Sequence, residues 1–170
     1  MRQRWSCWMR ATRSRRPLEA ALLLSALALA ACEPGAPPGV NREQLDAAIS
    51  RAVGDPNTCV LIAEKGSGKV LYRYNTATTC AKEWPSCAGP SSMKVGDLLD
   101  AVAQDGRPRM LSCNTTADAS RGVGWAAGPL PGRDQVYAAV MEGDRAFPGR
   151  MMADRLEGAF RRAGASAESR

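Results

Sequence analysis

Cys32 divides this chain in two. Ahead of it, an arginine-rich head leads into an apolar run from Ala20 to Ala31. Behind it, Glu33-Pro34-Gly35-Ala36-Pro37-Pro38-Gly39 cannot be a helix interior or a central strand, because proline lacks the amide donor that both require. A folded domain must therefore be built from the residues after Val40. That remainder has the length of one ordinary domain. At this size roughly two thirds of the unfolded surface can be buried, so a real core is within reach.

Leu29-Ala30-Ala31-Cys32 at the end of the apolar run resembles the signal of bacterial lipoproteins. The resemblance implies that residues 1–31 are a signal peptide, cleaved before Cys32, and that Cys32 takes the lipid. Starting at Met9 instead of Met1 gives the more ordinary basic head. Ser14-Arg15-Arg16-Pro17-Leu18 faintly resembles a twin-arginine export motif, but a general secretory signal accounts for the same arginines. Glu33 is not the aspartate of an inner-membrane retention signal, which implies an outer-membrane protein facing the periplasm. Residues 32–40 are expected to be a linker, stiffened toward polyproline II, that holds the domain off the membrane. Residues 41–164 are then the domain and 165–170 a flexible tail. After Cys32 no stretch is apolar for the roughly 18 residues that a membrane span needs, so the lipid is the expected membrane partner. Radiolabelled palmitate is expected to enter the wild type; equal labelling of Cys32→Ala would refute the assignment.

The formal charge of +6 belongs to the head. Arg2, Arg4, Arg10, Arg13, Arg15 and Arg16 lie there against Glu19 alone, leaving 17 basic against 16 acidic residues beyond it. A near-neutral domain gives no electrostatic reason to expect nucleic acid. The sequence has no histidine, which excludes a Ser-His-Asp or Cys-His site and any zinc site with a histidine ligand. Cys59, Cys80, Cys87 and Cys113 remain after Cys7 and Cys32 are set aside. An even set in an oxidising compartment reads as two disulfides. No C-x-x-C pair occurs among them, so a thiolate metal site is not expected, and no cofactor is.

Asn41 can cap a helix, with Gln44 three residues on, and Leu45, Ala48, Ile49, Ala52 and Val53 share one face. Gly54 and Pro56 end it, which predicts a helix over 42–53. Residues 58–63 and 70–74 flank Lys65-Gly66-Ser67-Gly68 and predict a β-hairpin. Residues 75–90 read as a long loop. Val95, Leu98, Leu99, Val102 and Ala103 predict a helix over 95–105. Three strands come next, near 109–113, 121–127 and 135–141, then a last helix entered through Pro148 with Met152, Leu156, Ala159, Phe160 and Ala163 inward. The order is α-β-β-α-β-β-β-α. It predicts an α+β fold: a single antiparallel sheet of about five strands with helices packed on it.

Ser91-Ser92-Met93-Lys94 holds a Ser-x-x-Lys spacing. At a helix start this spacing sets a lysine one turn from a serine, where it can help remove the hydroxyl proton. Together with residues 68–74, 120–129 and 135–142 and the final helix, it is similar to the α/β half of class A β-lactamases and penicillin-binding proteins. The resemblance implies Ser91 as nucleophile and Lys94 as base in a minimal serine acyl-hydrolase. It departs from the pattern in two ways. Lys94 to Arg109 leaves room for one helix instead of a helical lobe, and Ser112-Cys113-Asn114-Thr115 stands where Lys-Thr-Gly belongs. The element order is also similar to roadblock and profilin-like modules, which bind partners. The favoured reading is therefore a non-catalytic lipoprotein module for an envelope protein or cell-wall component, with the hydrolase as its rival.

Three further clusters have competing readings. Trp125, Tyr72 and Tyr74 suit either a ligand groove or a core. Asp97 and Asp100 suit a metal less well than a helix-start charge and a solvated face, and Arg161-Arg162 suits a helix C-terminus. The β-lactamase likeness also implies a strand order of second, first, fifth, fourth, third. In that order Cys59 and Cys113 lie three strands apart, about 14 Å, beyond the roughly 7 Å that a disulfide spans. It thus favours Cys59–Cys80 with Cys87–Cys113 over a short Cys80–Cys87 loop.

Overall fold

The computed structural model describes residues 34–167. Cys32 and the residues before it, and the final residues of the expected tail, lie outside that range. The elements are α1 (Arg42–Val53), β1 (Thr58–Glu64), β2 (Val70–Tyr74), α2 (Ala77–Cys80), β3 (Trp84–Pro85), β4 (Ser92–Met93), α3 (Val95–Asp105), β5 (Arg109–Asn114), β6 (Gly122–Pro129), β7 (Gln135–Gly143) and α4 (Gly149–Arg162). Five strands form one antiparallel sheet in the order β2-β1-β7-β6-β5, and β3 with β4 form a separate small ribbon. The fold is α+β, with the expected order of the main strands.

Helices cover both faces of the sheet. On one face, α1 and α4 meet Val60 and Ile62 of β1 and Tyr137, Ala139 and Met141 of β7. On the other, α3 meets Cys59, Leu61 and Ala63 of β1 and Val136, Ala138 and Val140 of β7. Strands buried on both sides read as unbroken apolar runs, which is why β1 and β7 show little alternation. The edge strand β5 alternates half-buried and exposed residues along its length.

Local chemistry sets the helix ends. The Asn41 side chain accepts the Gln44 amide at 3.0 Å, and the Lys94 amide donates to Asp97 Oδ2 at 2.8 Å. Asp97 is thus a helix-start cap. Gly106 (φ 66°) and Gly164 (φ +68°) close α3 and α4 in the left-handed conformation.

Three stretches differ from expectation. Residues 75–93 are a strap with α2 and the β3–β4 ribbon inside it, lying over the α3 face and held by Cys59–Cys80 and Cys87–Cys113. The stretch expected to be a free linker is laid on the domain: Pro37 is buried and Val40 packs on the core. The start of the expected tail is packed as well. Past Gly164, the Ala165 amide donates to Phe160 O, Ala165 is buried, and the Ala167 amide donates to Pro131 O at 2.8 Å.

Candidate functional site

The Ser91 and Lys94 pair is not assembled as the Ser-x-x-Lys spacing requires. α3 begins at Val95, so both residues precede it, and Lys94 is its extended N-cap. The Ser91 hydroxyl lies 3.2 Å from Ser86 Oγ, and the Lys94 ammonium lies 3.3 Å from Glu83 Oε1. Each polar tip is engaged elsewhere, and the two do not share a helical face.

The aromatic candidates divide. Trp125 is fully buried, its Nε1–H donating to Pro85 O at 2.9 Å beneath the strap. Tyr72 is buried too, and its hydroxyl donates to Asp46 Oδ1 at 2.5 Å. Burial, then that bond, pushes the Tyr72 pKa above the ordinary tyrosine value. Tyr74 is half-buried and lines a groove between α1 and the free edge of β2. Among the described residues, no group of three or more Cys, Asp or Glu is placed to hold a metal ion. Asp100 is exposed, and Arg161 pairs with Glu157 at 4.0 Å.

A polar network gathers where β1 begins and β7 ends. Glu142 is 2% exposed, although carboxylates seldom lie so deep without a partner. Arg121 grips it with Nε at 3.0 Å and Nη2 at 2.8 Å. Thr115 Oγ1 donates to the same carboxylate at 3.3 Å and Asn57 Nδ2 at 3.2 Å, while Lys82 holds Asn57 Oδ1 at 2.7 Å. The carboxylate raises the Arg121 pKa further. Fully satisfied groups of this kind fix structure more readily than they do chemistry. A lone Glu in the apolar run Gln135–Gly143 was the sequence signal for such a partner. Arg121→Ala leaves Glu142 with its two neutral donors only, and is expected to lower the urea unfolding midpoint. Restored stability in Arg121→Met with Glu142→Leu would identify the loss as an unpaired buried charge.

Beside this network, the end of α1, the β7–α4 loop and α4 enclose a cleft of about 410 Å³. Its apolar wall is Ala52, Val53 and Met141, all buried, with half-buried Phe147. Arg51, Arg145 and Arg155 also line it, against Asp55 as the one acid among the lining residues. Arg155 is held in place: its guanidinium carbon stacks 4.1 Å from the Phe147 ring centre, and Nη1 donates to Ala52 O at 3.3 Å. One helix-terminal carbonyl is thereby neutralised, and the remaining guanidinium hydrogens are available to a ligand. An apolar wall lined by several arginines suits an acidic group carried on an apolar body. Arg51 is far in sequence from Arg145 and Arg155, and each reads there as an ordinary surface charge.

Compared with known proteins, the chain matches no family model, no curated protein and no solved structure. The cleft is therefore read from its own geometry.

Proposed function

We propose that the chain is a lipid-anchored envelope lipoprotein whose disulfide-stabilised α+β domain is a non-catalytic binding module. In this reading Cys32 carries the lipid at the outer membrane, and the arginine cleft takes a carboxylate or phosphate of an envelope protein or cell-wall component. The cleft carries the proposal: three arginines and one acid line it, and one of the arginines stacks on the Phe147 ring. The engagement of Ser91 with Ser86 and of Lys94 with Glu83 favours binding over acyl transfer.

Capture from crosslinked envelopes is the test. The wild type is expected to recover a component that Arg51→Glu with Arg145→Glu does not, with circular dichroism unchanged because neither side chain is buried. Equal recovery by the two proteins refutes the role of the cleft.

A further inference from the structure

The stretch between Cys32 and the first helix is fixed to the domain from Pro34 onward. Arg42 Nη1 donates to Pro34 O at 2.5 Å and to Gly35 O at 3.1 Å. The Val40 amide donates to Pro37 O at 3.0 Å, a turn that closes over Gly39 at φ 77°. Pro37 is buried in that turn. Arg133, far along the chain, donates to Pro38 O at 3.0 Å and to Gly164 O at 2.6 Å, riveting the segment to the β6–β7 turn and the end of α4. A free polyproline spacer would rise about 3.1 Å per residue, so the eight residues 33–40 would reach on the order of 25 Å. With Pro34 fixed, the two peptide steps back to Cys32 can span at most about 7 Å. The two lengths predict different behaviour. The headgroup layer on each side of a bilayer is itself on the order of 5–7 Å thick.

We infer that the end of the domain bearing Pro34, Arg42 and Arg133 rests directly on the lipid headgroups, with residues 34–40 acting as a mounting and not as a spacer. The occupant of this surface is the bilayer that holds the anchor. The inference rests on the reading of Cys32 as the lipidated residue. The opposite end of the domain is then turned to the aqueous compartment. β7 starts beside Arg133 and runs on the order of 27 Å to Gly143. α1 likewise starts at the mounted end, at Arg42, and finishes at the arginine cleft. The cleft therefore meets ligands that arrive through the aqueous compartment, not lipids of its own leaflet.

The full chain, expressed with its signal and purified from membranes, can be placed in phosphatidylcholine vesicles. Every cysteine beyond the signal is assigned to the lipid or a disulfide, so an added cysteine gives a single labelling site. Glu43→Cys places a fluorophore in the first turn of α1, at the mounted end. Asp144→Cys places one just past β7, at the far end. Quenching by nitroxide on the lipid headgroups is expected to be several-fold stronger at Glu43→Cys than at Asp144→Cys. Adding Arg42→Ala and Arg133→Ala to Glu43→Cys is expected to release the mounting and reduce its quenching toward the far-end value. A lipidated, vesicle-bound protein with equal quenching at both positions, or with neither label quenched, overturns this inference alone. A purified chain whose mass lacks acyl groups overturns the lipid assignment and this inference together.

Discussion

Removing both disulfides is expected to cost the domain most of its stability. Cys59–Cys80 spans a sequence separation of 21 and Cys87–Cys113 one of 26. Loops of that length are each worth about 3 kcal/mol in the chain-entropy account. Two of them together approach the 5–15 kcal/mol that a whole domain retains, as an order of magnitude. The strap they close has little else to hold it. α2 buries no residue, and β3 and β4 are two residues long. Ser86, the Trp125–Pro85 hydrogen bond, the Lys82 bond to Asn57, the Asn75 bonds to Pro56 O and Thr58 O, and partly buried Trp84 and Met93 are its other attachments. In Cys87→Ala with Cys113→Ala, the strap is expected to come away from Trp125 and the urea midpoint to fall by the equivalent of about 3 kcal/mol. Tryptophan emission should shift to the red at urea concentrations where the far-ultraviolet circular dichroism of the sheet and helices is still intact. If both signals move together at the wild-type midpoint, the strap is not a separately stapled element. With the second bond also removed, the folded fraction at 37 °C is expected to become small.

The strap also marks where the sequence stopped being informative. α1 and α3 are legible because their apolar faces, caps and stops all lie within a dozen residues. β1 and β7 are legible as apolar runs. Inside the strap, a four-residue helix and a two-residue ribbon depend on contacts with Trp125 and Cys113, which no local pattern announces. Pro37 looked like part of a free spacer because the residue that fixes its neighbour, Arg133, lies 95 positions beyond Pro38. Ser91 and Lys94 had the right spacing, but α3 starts after them, at Val95, so the spacing never becomes a shared helical face. The arginine cleft was invisible for the same reason as the mounting: Arg51 comes to line one cleft with Arg145 and Arg155 only in three dimensions. Trp125 and Tyr72 were open between groove and core in the sequence, and the covering of both sheet faces makes them core.

The close seating of α4 leads to an expectation opposite to helix propensity. Replacing a helical glycine with alanine ordinarily gains about 1 kcal/mol, because alanine loses less backbone freedom on folding. Gly96, in the first turn of α3, should obey that rule: a Cβ built there has nothing within 4 Å. Gly149, at the start of α4, should reverse it. Its Cβ would lie 2.4 Å from Trp125 O, 2.6 Å from Leu111 O and 2.7 Å from Leu111 N. These are backbone atoms of a registered pair in β5 and β6, so no side chain can swing aside. Gly124, on β6, completes the fit from the other side, since a Cβ there would meet Phe147 O at 1.9 Å. The helix start and the sheet thus approach each other through two missing side chains, and either alanine forces α4 to lift from the face where Met152, Leu156 and Phe160 are buried. Overpacking of this kind costs on the order of 3 kcal/mol, well beyond the propensity gain. In urea unfolding, Gly96→Ala is expected to raise the midpoint and Gly149→Ala to lower it sharply. A Gly149→Ala protein as stable as the wild type would mean that α4 does not sit on the Leu111–Trp125 pair.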